Sequence, residues 1–284
     1  MLKSIEVPIE IKNVFIQALK EAYSKHEALD ISGEELVQKN RFGETALKVD
    51  IEIEEVIINV LKENLIPIRI ISEEHGVVDI TPSPKYLGIL DGLDGSGVYK
   101  KSRGVGRYGT MFAIYDSLDP TYDDYLISGA MEHTTGRMYI AVKGEGLSIE
   151  KDGKIIKAKS SGKTILDKTI NIRIDEYTEM NKKVFSEKLK DFDIQWNGSS
   201  CISYVDVASG VADLALECTR KNNLEIAVAY GLETEAGAVI VDINGNSLGN
   251  KKYLSFGQDE QVSVITAATR DLAIQLISYL KSVG

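Results

Sequence analysis

Apolar residues recur every three or four positions through Ile5, Ile9, Phe15, Ile16, Leu19, Ala22 and Tyr23. That is the spacing of one buried helix face, and it predicts a helix over residues 4–25. The period then breaks: residues 30–44 are polar, carry Gly33 and Gly43, and read as a loop or hairpin. It returns at Val49, Ile53, Val56, Ile57, Val60 and Leu61 and stops before Pro67, so a second helix is expected over 49–65. Two short β-branched runs follow, Ile68-Arg69-Ile70-Ile71 and Tyr86-Leu87-Gly88-Ile89-Leu90. Each reads as a strand delivering acids at its C-terminal end, Glu73-Glu74 for the first and Asp91 for the second. Further strands are expected near 108–115, 125–132 and 137–142, in an antiparallel or mixed sheet.

The second half alternates. Strands are expected at 169–174, 194–196, 213–217, 239–242 and 262–266. Helices are expected at 177–190, 201–210, 225–237 and 270–282. Alternation of this kind suggests an α/β layer. The turn Lys151-Asp152-Gly153-Lys154 lies near the midpoint and suggests two halves, 1–150 and 151–284.

Composition narrows the function. With 284 residues and 43% hydrophobic content, the chain can bury one large core or two fused halves. No run of about eighteen apolar residues occurs, so no membrane span is expected. Met1-Leu2-Lys3-Ser4-Ile5-Glu6 lacks an apolar signal region, which leaves a cytoplasmic location as the default expectation. The net charge of −10, without a basic patch, argues against nucleic acid as a partner. Cys201 and Cys218 form no CxxC pair, and His26, His75 and His133 are scattered. A cysteine zinc site is therefore not expected, a two-histidine metal motif is absent, and any metal should be a hard cation held by oxygens.

The segment that best suits such a cation is Asp91-Gly92-Leu93-Asp94-Gly95-Ser96. Two carboxylates three residues apart in a glycine-containing turn can converge on one point, with the carbonyl of Leu93 between them. Gly95 and Ser96 could open a helix whose free N–H groups meet a phosphate. Alone, the hexapeptide fits an ordinary Asp-Gly turn as well. Glu73-Glu74 alone reads as a solvated strand end.

In order along the chain, these segments resemble the inositol monophosphatase family. That family reads Gly-Glu-Glu, Asp-Pro-Ile/Leu-Asp-Gly-Thr-x-Asn, Gly-Ser/Thr-Ala-Ala, Trp-Asp-x-Ala and Glu-Ala-Gly-Gly. The counterparts here are Ser72-Glu73-Glu74, Asp91 to Val98, Gly198-Ser199-Ser200-Cys201, Leu224-Glu225-Ile226-Ala227 and Thr234-Glu235-Ala236-Gly237-Ala238, spanning roughly residues 40 to 245.

The resemblance implies a layered α+β or α/β sandwich of alternating helix and sheet layers, the sugar-phosphatase fold. It implies a Mg²⁺-dependent phosphatase acting on a small phosphorylated metabolite, such as inositol monophosphate or fructose-1,6-bisphosphate. Two or three ions are expected, with Mn²⁺ as a substitute, in a homodimer. Carried over by position, Glu73, Asp91, Asp94, Glu225 and the Leu93 carbonyl are the expected metal ligands. Gly95 and Ser96 meet the phosphate, and Asp50, Glu73 and Ser96 are expected to be catalytic. Gly198, Ser200 and Glu217 touch the rest of the substrate.

Four positions depart from the pattern: Gly92 stands for Pro, Ser96 for Thr, Val98 for Asn and Glu225 for Asp. A competing alignment puts Glu233 in place of Glu225. Gly92, Val98 and Glu225 motivate one alternative, a non-catalytic paralogue that binds a sugar phosphate in a regulatory role; the resemblance leaves a second, a 3′-phosphate nucleotidase on the same fold. Lys100, Lys101, Arg103 and Arg107 could bind a second phosphate. Residues 117–125 read as a long hairpin of unassigned role, and Ile31 to Thr45 as a segment able to close over the site.

Overall fold

A computed structural model describes residues 7–40, 43, 45–175 and 179–283. The first helix, α1 (Ile9–Leu29), leads into a small hairpin of β1 (Leu36–Lys39) and β2 (Thr45–Leu47). Then come α2 (Lys48–Glu63), β3 (Ile68–Ser72), β4 (Val77–Asp79), β5 (Tyr86–Asp94) and α3 (Ser96–Ser102). Strands β6 (Gly109–Tyr115), β7 (Tyr125–Glu132), β8 (Arg137–Val142), β9 (Gly146–Lys151) and β10 (Lys154–Ala158) form a meander. The second half contains β11 (Asn171–Ile174), α4 (Glu179–Asn181), β12 (Asp193–Gln195), α5 (Ser200–Ala208), β13 (Leu214–Cys218) and α6 (Leu224–Glu235). It ends with β14 (Val239–Asp242), β15 (Ser263–Ala267) and α7 (Arg270–Ser282).

Two mixed sheets carry the fold. The larger has eight strands in the order β10-β9-β8-β7-β6-β5-β3-β4, and the smaller five in the order β12-β11-β13-β15-β14. Strand β6 shows why its sequence is uniformly apolar. Phe112 and Ile114 join the core under α1 and α2, whereas Met111, Ala113 and Tyr115 join the core shared with α5 and α6. Alternate side chains leave opposite faces of a strand, so a strand covered on both sides needs no polar positions. Helix α6 is likewise buried from Leu224 to Glu233, as expected of a helix enclosed on all sides. The far face of the smaller sheet is covered by Leu272, Leu276 and Leu280 of α7. The layers thus run α1/α2, large sheet, α5/α6, small sheet, α7, which is the alternating sandwich the sequence implied.

Several expectations shift. The turn at residues 151–154 joins paired antiparallel strands of one sheet, so the chain leaves the large sheet only after Ala158. The helix expected over 177–190 is short, and residues 176–178 lie outside the described residues. The three residues of α4 pass into a wider turn, Lys182–Ser186, closed by the Glu187 N–H on the Lys182 carbonyl. Among the described residues there, Phe185 and Leu189 are the fully buried apolar anchors, too few to hold a long helix. Residues 117–125 are not a free hairpin. Tyr122 is fully buried and bonds the Lys251 carbonyl, and Asp123 bonds the Gly249 carbonyl, fastening β6–β7 to the segment after β14. No helix among the described residues is long and apolar enough to cross a membrane.

Candidate active site

Strand β5 carries its two aspartates to the cavity through an irregularity. Asp91 pairs with Met111 but Asp94 pairs with Gly109, so three steps on β5 face two on β6. In a regular strand, residues three apart point to opposite faces; one extra residue turns them to the same face. The acids therefore sit within the strand, not in a turn beyond it. The Leu93 N–H donates to Asp91 Oδ1 at 3.0 Å, and the Gly92 carbonyl accepts from Thr110 Oγ1 at 2.7 Å. Asp94 Oδ2 accepts from the Cys201 N–H at 2.8 Å and from the Ser199 hydroxyl. Ser199 is the N-cap of α5, so the start of that helix fixes one oxygen of Asp94.

Glu225 arrives from the other side of the sandwich, in the first turn of α6, after Asn222 and Asn223 in left-handed conformations. Its carboxylate and those of Asp91 and Asp94 lie within 4.8 Å of one another, and all three residues are buried. Like charges so close in a buried place repel strongly, and a divalent cation among them removes that cost. The donor set, carboxylate oxygens without sulfur or imidazole, suits Mg²⁺ or Mn²⁺. Glu73 is not one of this trio: its carboxylate accepts from Asn40 Nδ2 at 3.3 Å, and Glu74 accepts from the same amide at 3.1 Å. Both line the cavity.

Asp50 lies in the first turn of α2 and accepts from the Leu47 N–H at 2.9 Å. Burial pushes its carboxyl well above the usual range; the Leu47 bond opposes this, and Glu73, Glu74 and Glu54 add to it. Glu217, on β13, is pushed up by burial and by Asp175, against the pull of Arg220. All eleven residues singled out from the sequence (Asp50, Glu73, Asp91, Leu93, Asp94, Gly95, Ser96, Gly198, Ser200, Glu217 and Glu225) line one cavity of about 440 Å³.

The sequence assigns no role to four residues that support the site: Glu54, Ser199, Cys201 and Arg220. Glu54, wholly buried one turn after Asp50, accepts from the N–H groups of Glu73, Glu74 and His75 at 3.1–3.2 Å and meets His75 Nδ1 at 2.8 Å. Ser199 and the Cys201 N–H hold Asp94. Arg220 donates to Ser200 Oγ at 3.2 Å and lies 3.9 Å from both Glu225 and Asp175. An i, i+4 pair of acids on α2 was the one available signal, and it pointed to Glu54.

Other expectations are corrected. Arg107 pairs with buried Glu132 and Asp206 at 2.7 and 2.8 Å, and Arg103 with Asp30 and Glu34; of the four basic candidates only Lys101 lines the cavity. Glu233 lies two turns beyond Glu225, about 12 Å along the helix. It is fully buried and does not line the cavity. The segment 31–45 reaches the cavity through Asn40 and Thr45, with Ala46 next to it, while residues 41, 42 and 44 lie outside the described residues.

The model of the inositol monophosphatase family matches residues 2–283. The chain belongs to the inositol monophosphatase family. That family is metal-dependent, and its enzyme class is phosphoric monoester hydrolase. A bifunctional NADP phosphatase/NAD kinase of Methanocaldococcus jannaschii is 27% identical over 247 residues; the match covers 78% of this chain and 42% of that protein. This chain therefore spans less than half the length of that relative. A fructose-1,6-bisphosphatase/inositol-1-monophosphatase of the same organism is 27% identical over 208 residues, covering 72% of this chain and 73% of the relative. Among solved structures, the extragenic suppressor protein suhB of Bartonella henselae superposes with a TM-score of 0.77 at 16% identity, covering 95% of this chain and 98% of that one. That likeness establishes the fold.

Proposed function

We propose that this family member is a Mg²⁺-dependent phosphatase that hydrolyses a small sugar-type phosphate monoester by direct attack of water on phosphorus. The observation that carries this reading is the buried trio of Asp91, Asp94 and Glu225 within 4.8 Å. With the Leu93 carbonyl and Glu73, they would hold two or three Mg²⁺ ions, or Mn²⁺. Bound Mg²⁺ supplies Lewis acidity and lowers the pKa of a bound water.

The chain's own groups do the rest. Asp50, anchored by the Leu47 N–H, and the Ser96 hydroxyl orient the attacking water. Glu73, held in place by Glu54 beneath its backbone, completes the acidic rim. The amides after Gly95 meet the phosphate oxygens; α3 has only seven residues, so local N–H groups matter more than a helix dipole. Gly198, Ser200 and Glu217 face the sugar. Cys201 is no nucleophile: it is fully buried, and burial beside Asp94 pushes its thiol well up, away from the nucleophilic thiolate.

The fructose-1,6-bisphosphatase/inositol-1-monophosphatase relative supports a sugar phosphate, with inositol monophosphate and fructose-1,6-bisphosphate the first compounds to assay. The test is phosphate release with Mg²⁺ across a panel of small sugar phosphates. Turnover of at least one is expected. Binding without turnover under Mg²⁺ or Mn²⁺ would instead favour a non-catalytic paralogue. The homodimer implied by the resemblance is part of the proposal and is checked by light scattering.

A further inference from the structure

Thr110 is wholly buried in β6, and its hydroxyl has two partners. It donates to the Gly92 carbonyl at 2.7 Å and meets His133 Nε2 at 2.8 Å. A hydroxyl has one hydrogen, so the imidazole is the donor in the second bond. The other ring nitrogen agrees. His133 is 2% exposed, and its Nδ1 meets no hydrogen-bond partner among the described residues. A proton there would be a buried donor without an acceptor, so the ring's proton belongs on Nε2. Burial, then the His26 ring stacked at 4.2 Å, holds the His133 pKa well below its ordinary 6.5, so near neutral pH the ring keeps that one proton. The His133 N–H also donates to the Tyr108 carbonyl at 3.1 Å, which clips the histidine to the start of β6.

The chain of donors continues past Gly92. The Gly92 carbonyl and the Leu93 N–H belong to one planar peptide unit, so turning one end turns the other. Thr110 holds the oxygen end, and the nitrogen end donates to Asp91 Oδ1 at 3.0 Å. This unit lies inside the irregularity where three steps of β5 face two of β6, so the regular ladder does not fix it. Resting on the metal-site reading above, we propose that Thr110 and His133 are positioning residues for the metal site. His133, Thr110 and the Gly92–Leu93 peptide form one directional chain of hydrogen bonds that aims the Asp91 carboxylate. Groups linked in this way polarise one another, so the histidine acts on Asp91 without touching it.

Titration calorimetry of Mg²⁺ binding to the full chain tests this. Thr110→Val keeps the shape and loses the hydroxyl, and should weaken Mg²⁺ binding about ten-fold; Thr110→Ser should bind like the parent. His133→Phe keeps a ring against His26 but loses the donor and should also bind Mg²⁺ more weakly. His133→Gln, whose amide can donate, should recover most of the loss, and this pair decides the matter should Thr110→Val not fold. Because one chain carries both effects, the double variant Thr110→Val/His133→Phe should bind no more weakly than the worse single variant. In protein stripped of metal with EDTA, amide exchange followed by NMR should be faster at Leu93 in Thr110→Val than in the parent. Parental Mg²⁺ affinity in both folded Thr110→Val and His133→Phe, additive losses in the double variant, or unchanged exchange at Leu93 would overturn the inference and leave the metal-site reading intact. If the parent itself binds no Mg²⁺, the metal-site reading fails, and exchange at Leu93 still decides whether the chain of hydrogen bonds holds the peptide beside Asp91.

Discussion

Gly92 has no room for a side chain. A Cβ there would lie 2.5 Å from the Asp50 carbonyl and 2.8 Å from Glu54 Cγ. Its replacement of the family proline therefore does not slacken the loop; it lets α2 press against the metal-ligand segment. Gly92→Ala should force these elements apart and cost about 1–3 kcal/mol, read as a lower melting temperature by calorimetry. Glu225 is the other departure with a structural counterpart. Its longer side chain reaches Asp91 and Asp94 from a helix that starts after two left-handed asparagines. Glu225→Asp is therefore expected to weaken, not restore, the site, lowering kcat/KM and raising the Mg²⁺ requirement by about 10–100-fold. A variant as active as the parent would mean that the backbone is not set for glutamate. The acids themselves were legible because strand ends and a Gly-containing acidic run are local patterns. Their supports were not, because Ser199 reaches Asp94 and Glu54 reaches the Glu73 backbone across long stretches of chain.

Among the elements, α2 does most to shape the rim. Asp50 and Glu54 lie one turn apart, one facing the cavity and the other pinning three consecutive N–H groups of the loop after β3. Glu54→Ala leaves those groups unpaired and should weaken Mg²⁺ binding by about 10–100-fold, measured by titration calorimetry, with Glu54→Gln milder because one acceptor oxygen remains. The strongly periodic helices α1, α2 and α7 and the apolar strands β3, β5, β6 and β7 were readable from the chain. Short strands were harder. β4 and β10 carry exposed Val77, Ile155 and Ile156, so alternation against a core gave no signal there. The Asp-Gly turn between β9 and β10 resembled a boundary because a tight hairpin and a linker share turn residues.

Across the molecule, buried polar pairs join the layers. Arg107 bridges Glu132 of β7 and Asp206 of α5, and Arg173 of β11 also bonds Asp206. Under α1, His26 and His133 stack at 4.2 Å. Thr110 Oγ1 gives its one hydrogen to the Gly92 carbonyl, so His133 Nε2, at 2.8 Å, is the donor to that hydroxyl. Burial, then the neighbouring His26, holds the His133 pKa well below its ordinary 6.5, and burial lowers His26 as well. The unfolded chain takes up these protons near pH 6.5 while the native state does not, so this pair's contribution to stability is intact above that pH and declines as pH falls below it. Urea midpoints at pH 7.5 and 5 should show a smaller loss for His133→Gln than for the parent.

The central claim is that Asp91, Asp94 and Glu225 hold the cation that powers phosphate release. It is tested most directly by the initial rate of phosphate release from a turned-over sugar phosphate, measured against Mg²⁺ concentration for the parent and for Asp91→Asn, each checked for native circular dichroism. The parent should be silent in EDTA and saturate with Mg²⁺, while Asp91→Asn should lose on the order of a hundredfold or more in kcat/KM. A parent rate unaffected by EDTA, or near-parental activity in folded Asp91→Asn, would contradict the account.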